Sequence, residues 1–395
     1  MLLSRFREQL RSSEWAEKER VPRTAGLAIL QAIAHRVDPR VTADFSDIEM
    51  ARVVVDTLPE GATSHALEGL LLVIDAEPQA PAGPALMEYG KTLENDGAYE
   101  LAADVYQLAA ELGRREHGLK LAPAALVRVG FCLRNIGRYR EAERSYRAAA
   151  AVAQEIGDHV AELLSKIGRA KVAIEEGHYD TARAQLDRVI VAARKRDLRH
   201  PLALALHERG TIGNLEGDLE NALIDLGESL EVQKERADQL RVLADVGVTL
   251  RQLGLLDMAR DVFSCVREES MEADARRVQM INLLDIAAYT AQWVEFDRLR
   301  HEIEILDLSP RQNCEFLETV AEGYALRGHE AQSHATYVAL LETAQRGGIE
   351  AFERRARRAL DGDRASRTTP QNPLALPPRC RPAIAIIRET VFPVR

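Results

Sequence analysis

Apolar residues recur at threes and fours through most of this 395-residue chain. Leu126, Val129 and Leu133 form one such stripe, and Ala142, Tyr146 and Ala149 form the next. Spacing of this kind places side chains on one face of an α-helix. A polar break containing Gly137 separates the two stripes, so the pattern predicts two amphipathic helices joined by a short turn. From Ala85 to Ala359 no alternating run interrupts the helical period, which predicts an all-α region without strands.

The break repeats. Gly97, Gly137, Gly177, Gly217, Gly254 and Gly328 mark successive copies, with Gln292 in the corresponding place of one eroded copy; the steps are 40, 40, 40, 37, 38 and 36 residues. Two positions after the first five glycines stand Tyr99, Tyr139, Tyr179, Leu219 and Leu256, and five positions after stand Ala102, Ala142, Ala182, Ala222 and Ala259. Glycine suits a left-handed residue just past a helix end, where a Cβ costs about 1–2 kcal/mol. The recurring alanine marks a close helix approach that a larger side chain would overpack by roughly 1–3 kcal/mol.

The stretch ALVRVGFCLRNIGRYREAERSYRAAA, Ala125 to Ala150, resembles the tetratricopeptide repeat family, and the likeness extends over about Ala85 to Leu341. Most copies exceed the family's usual ~34 residues, as in long-repeat bacterial members. The resemblance implies an all-α, right-handed superhelical solenoid of antiparallel helix pairs with about seven repeats. It also implies that a concave wall lined by first helices is the ligand surface.

On that register the wall-facing positions are Lys91 and Glu94, then Phe131, Arg134 and Asn135, then Lys171, then His207, Thr211 and Asn214, then Arg251. Cations outnumber acids in this row although the chain carries a net charge of -10. A row of Lys91, Arg134, Lys171 and Arg251 suits an acidic or C-terminal peptide segment, with Phe131, Asn135, His207 and Asn214 as its neighbours. Its spacing does not match the carboxylate clamp of chaperone adaptors. The expected function is therefore a noncatalytic scaffold that binds a protein or peptide in its groove. The alternative is a peptide- or metabolite-responsive bacterial regulator with an N-terminal helical effector bundle.

The flanks read differently. Residues 1–80 predict helices near Arg23 to Val37, Asp47 to Leu58 and Thr63 to Ile74, a small bundle or degenerate repeat, with Ser46 and Glu49 spaced as a capping box. The linker EPQAPAGPA leads into the repeat region of residues 85–361. Residues 362–395 hold six prolines, six arginines and two acids, a composition that predicts disorder.

Candidate chemistry changes little. No phosphate loop, nucleophile elbow or kinase signature is present, so no enzyme activity, metal or cofactor is expected. His329 and His334 are five apart, which points them to different helix faces, unlike the i, i+4 pair of a zinc helix. The run ERRARR, Glu353 to Arg358, reads as a solvated helix end and lacks the aromatics of a nucleic-acid platform. The acidic balance also argues against nucleic acid. Four widely spaced cysteines, charges at Arg5, Arg7 and Glu8, and apolar windows short of ~20 residues point to a cytoplasmic chain without a membrane span.

Overall fold

The protein was described from a computed structural model, covering residues 2–11, 16–76, 81–115, 120–362 and 377–392. Among the described residues there are helices and no strands, and the chain divides into two compact units, Met1–Pro201 and Leu202–Arg395.

In the first unit, α1 (Ser4–Arg11), α2 (Glu17–Val37), α3 (Phe45–Thr57) and α4 (Ala62–Asp75) lead into α5 (Gly83–Asn95) and α6 (Tyr99–Arg115). Then follow α7 (Leu121–Asn135), α8 (Tyr139–Ile156), α9 (His159–Glu175) and α10 (Tyr179–Lys195). The leading helices share one core with the repeats, since Phe6, Ile29, Leu67, Leu86, Tyr106 and Leu126 belong to a single buried cluster. Asp104 fastens α1 to α6 by accepting hydrogen bonds from the Phe6 amide at 3.0 Å and from Arg5 at 2.9 Å. Helix α3 is capped by Asp44, whose carboxylate accepts from the Ser46 amide at 2.9 Å. The expected Ser46–Glu49 box is therefore replaced by a cap two residues earlier.

In the second unit the helices are α11 (Arg199–Glu216), α12 (Leu219–Val232), α13 (Arg236–Gln252), α14 (Leu256–Glu269), α15 (Ala273–Tyr289) and α16 (Trp293–Glu304). They continue as α17 (Pro310–Leu326), α18 (Glu330–Gly347), α19 (Glu350–Leu360) and α20 (Arg381–Val391). The division between the units falls in the first turn of α11. Among the described residues, the pairs α5/α6, α7/α8 and α9/α10 of the first unit and α11/α12 to α17/α18 of the second follow the helix-pair repeat that the glycine ladder predicts.

The turns follow the ladder. Gly137 has φ +75°, its N–H reaches the Arg134 carbonyl at 3.0 Å, and the Arg138 N–H reaches the Leu133 carbonyl at 2.9 Å, the paired bonds of a left-handed helix stop. In the eroded copy the left-handed residue is Ala291, with φ +53°, and Gln292 comes one position later. Its amide makes the equivalent bond to the Ala287 carbonyl at 2.8 Å. The register there shifts by one, because the alternate bonding of the turn is satisfied without glycine at the cost of a strained alanine.

Helices pack across the turn through small residues. Ala142 and Ala149 are both fully buried, so the two recurring alanines of α8 are equally close contacts. The Tyr146 ring fills the gap between α7 and α9 because Gly130 and Gly168 face it; a Cβ on Gly130 would lie 2.6 Å from the ring, and one on Gly168 would lie 2.2 Å from it.

The C-terminal segment departs from the expected disorder. Residues 377–392 form a 3-10 turn and α20, which packs against α12 and α14. Ala383, Ile387 and Val391 recur every four residues and are buried, and Gly227 leaves room for Ala383, whose Cβ would be 2.6 Å from a Cβ at that glycine. Arg379 pairs with Glu220, and Arg236 donates to the Thr390 carbonyl at 3.1 Å. The remaining part of the expected tail, 363–376 and 393–395, lies outside the described residues.

Candidate functional site: the first-helix wall

The first helices of successive pairs carry the positions expected to face the wall, and counting back from the turn residue sorts them. Lys91, Phe131 and Lys171 each stand six residues before a turn glycine, on α5, α7 and α9. Lys91 is exposed, whereas Phe131 and Lys171 are half-buried. Three neighbouring helices of the first unit therefore offer a cation, an aromatic ring and a cation in one row.

Phe131 is the centre of a larger cluster. The Arg128 guanidinium lies 4.6 Å above its ring and the Arg134 guanidinium 5.5 Å from it, while Tyr99 meets it edge-on at 6.2 Å. Both cations are within the ~6 Å at which a ring quadrupole attracts them. Arg128 also pairs with Glu94 on α5, and Arg134 with Glu175 on α9 at 3.1 Å. Asn135 is exposed and its amide donates to the Phe131 carbonyl at 2.8 Å, which leaves its oxygen as the group available to a ligand.

In the second unit the wall residues are held by acids. His207 on α11 lies with Nε2 2.7 Å from Asp245 Oδ2 on α13, and Thr211 donates to the same oxygen at 3.3 Å. Asn214 donates to the Asp245 carbonyl at 3.3 Å and accepts from Thr249 at 2.7 Å. Arg251 pairs with Asp285 on α15; the arginine is 13% exposed and the aspartate 3%.

Four of these contacts share one rule. Glu94, Arg134, Asn214 and Arg251 each stand three residues before a turn glycine, and each reaches the following first helix. The expected excess of cations is therefore offset, because Glu175, Asp245 and Asp285 project onto the same wall from neighbouring positions. Arg128 and Tyr99, which complete the Phe131 cluster, escape sequence reading for a related reason. The signal for Arg128 is its place nine residues before Gly137, one helical turn from Phe131.

Burial pushes Cys132 up to about 12, against the opposing charge of Arg128, so it remains a neutral thiol at physiological pH. Burial likewise raises Tyr146, with the Arg134 charge and hydrogen bond working against it. Among the described residues no group of three or more His, Cys, Asp or Glu side chains could hold a metal ion, and no helix is long and apolar enough to cross a membrane. His329 and His334 are both exposed, and most of the ERRARR run is paired: Arg355 with Glu318 at 3.0 Å and Arg357 with Glu353 at 2.5 Å.

Residues 121–195 match the tetratricopeptide repeat family. A sequence comparison with curated proteins finds no match. Among solved structures, the chain is similar to a tetratricopeptide repeat protein from Parabacteroides merdae at 16% identity, covering 69% of this chain and 96% of that one, with a TM-score of 0.45. It is also similar to NprR in complex with its cognate peptide NprX at 13% identity, covering 84% of this chain and all of that one, with a TM-score of 0.42. It is similar as well to BtubC from P. vanneervenii at 13% identity, covering 75% of this chain and 96% of that one, with a TM-score of 0.39.

Proposed function

We propose, from the premise that this is a tetratricopeptide repeat protein, that it is a noncatalytic scaffold whose first unit captures a short extended peptide segment along α5, α7 and α9. Repeat solenoids of this family present protein- and peptide-binding surfaces, and the observation that carries the finer reading is the Lys91–Phe131–Lys171 row. Neighbouring helix axes lie about 8–10 Å apart, so two steps span about 16–20 Å. An extended chain covers that distance in about six residues at ~3.3 Å each. The complementary segment has an apolar or aromatic side chain near its middle and an acidic group, or a terminal carboxylate, toward each end.

Phe131 supplies the anchor. Its ring is held between Arg128 and Arg134, which are themselves braced by Glu94 and Glu175, so little side-chain freedom remains to be lost on binding. Lys91 sets orientation and on-rate more than affinity, because an exposed charge is screened within about 8 Å at physiological salt. His207, Asn214 and Arg251 act in this reading as the braced lining of the second unit's own wall.

Selection of displayed peptides against the full chain, followed by titration of the enriched sequences, tests the proposal. Phe131→Ala should weaken the selected peptides by at least about 1 kcal/mol, as for a central anchor. Joint reversal of Lys91 and Lys171 to Glu should abolish the preference for acids. Arg147→Glu with Arg188→Glu, on the second helices α8 and α10, is the control. Enriched peptides that ignore the first-helix changes but lose affinity in the control would move the binding surface to the second helices and defeat the reading.

A further inference from the structure

Helix α3 is apolar on two sides. Ile48, Ala51 and Val55 are buried, the one stripe that a helix at the edge of a bundle normally carries. Met50, Val53 and Thr57 stand at i, i+3 and i+7 on another face, and there Met50 is 65% and Val53 59% exposed. The Thr57 hydroxyl donates to the Val54 carbonyl at 2.8 Å, so this ridge carries no polar group in need of a new partner.

Beside the ridge a groove of about 670 Å³ runs between α2 and α3, and among the described residues only these two helices line it. Ala25 and Ala51 are buried in its floor, Leu27, Ala28 and Val54 are half-buried, and Val21 is exposed. Helix α2 therefore shows apolar side chains to the groove as well as to the core, where Ile29 and Ile33 are fully buried. Apolar surface gathered in this way and rimmed by charge marks a place of association.

We propose that the occupant is a second copy of this chain, joined through a two-fold contact in which each α3 ridge enters the other copy's α2/α3 groove. Ridge and groove share one helix, so the ridge cannot fill the groove of its own chain. An identical molecule brings a ridge to each groove at once, which is the self-complementary patch that a two-fold interface requires. Met50 and Val53 are the inserted side chains, and the small Ala25, Ala28 and Ala51 give them room. The charges agree with this occupant. Arg20 and Asp47 line the groove from opposite helices, and neither side chain is paired with a described residue. The two-fold contact sets each Arg20 against Asp47 of the other copy, a rim of opposite charges around an apolar centre. Glu17, the third charge of the lining, lies in the first turn of α2, where an acid is favourable in its own right. A strongly basic or strongly acidic segment would meet both signs here and gain little.

Sedimentation equilibrium of the full chain from about 1 to 100 µM tests the proposal. The chain should sediment at twice its monomer mass, with a Kd of micromolar or below, the span covered by ordinary specific interfaces. Met50→Glu together with Val53→Glu should raise that Kd at least about thirtyfold, as for the loss of a central anchor. Helical circular dichroism should stay parental, because both side chains are exposed in the single chain. Arg20→Glu and Asp47→Arg should each weaken the dimer, and the double variant should recover it, which separates a contact across the two-fold from a fault in folding. A chain that stays monomeric up to about 100 µM, well above a micromolar Kd, would leave the groove to another protein and overturn the proposal. So would a dimer of parental affinity in the Met50→Glu, Val53→Glu variant, or a double charge reversal no tighter than the single ones.

Discussion

Adding one methyl group at each of three glycines should move stability in different directions, and the structure sets the sign of each. At Gly69, inside α4, a Cβ would meet nothing within 4 Å, so Gly69→Ala should stabilise by about 0.5–1 kcal/mol through helix propensity and a less flexible unfolded chain. At Gly137 a Cβ also meets nothing, but φ is +75°, so Gly137→Ala should cost about 1–2 kcal/mol. At Gly130 the conformation is helical and the obstacle is Tyr146, three of whose ring atoms would lie 2.6–2.8 Å from the new carbon. The ring cannot retreat toward α9, because Gly168 already admits it so closely that a Cβ there would be 2.2 Å away. Overpacking of about 1–3 kcal/mol against a propensity gain of about 1 leaves Gly130→Ala destabilised by up to about 2 kcal/mol. Urea denaturation followed by helical circular dichroism should give midpoints in the order Gly69→Ala, parent, then the other two variants. In a double-mutant cycle, Tyr146→Leu should relieve Gly130→Ala by about 1–2 kcal/mol and leave Gly137→Ala untouched. If Gly130→Ala instead gains as much as Gly69→Ala, the close approach of α7 and α8 through Tyr146 is refuted.

Ala149→Glu should be as damaging as Ala142→Glu, since both alanines are fully buried in α8 and neither site offers a partner for the charge; a folded Ala149→Glu variant of parental stability would contradict this. Ile387→Ala should cost about 2–4 kcal/mol, as for other buried isoleucines, and deletion from residue 377 onward should lower the thermal midpoint; an unchanged midpoint would mean that α20 contributes nothing to the second unit. The Lys166 hydrogen bond, with Gln154 assisting, overcomes burial and holds Glu162 down at about 2, below its ordinary 4.5. Its stabilisation is therefore complete above about pH 4.5 and is lost as pH falls toward 2. Glu162→Gln should flatten the loss of stability in that window, and an acid-denaturation curve identical to the parent's would show that the bond has no such role.

The repeat was legible because its signal is conformational: a left-handed turn excludes most residues, so glycine recurs at Gly97, Gly137, Gly177, Gly217, Gly254 and Gly328, each with positive φ. Where the requirement is met differently, at Ala291, the reading slipped to Gln292. The alanine five positions after the turn was equally plain, and Ala149 follows it in the same Ala142–Tyr146–Ala149 stripe, all three buried. The C-terminal helix was hidden by composition. Its prolines and arginines outweigh Ala383, Ile387 and Val391, and the glycine that receives it, Gly227, lies more than 150 residues away in sequence. Long-range pairs of that kind leave no local pattern.

The charge of the candidate wall was misread from the sequence. Helical register identifies which residues of one helix face the wall, yet it cannot say which acids of the next helix reach them. Arg134 illustrates the consequence: its side chain is only 10% exposed, it touches the Phe131 ring, and Glu175 lies 3.1 Å away. Reversing it to Glu would set two carboxylates against each other, so the change cannot separate binding from folding. Lys91 carries no such burden, being exposed on α5. Since most wall cations already have intramolecular acids, an incoming carboxylate gains little by displacing Glu94 or Glu175. In the proposed capture the free energy would come mainly from covering the Phe131 ring, with charge contributed by Lys91. That division predicts an affinity that falls only modestly between low and physiological salt and collapses on Phe131→Ala, whereas a peptide held by a bare basic stripe would show the opposite ranking.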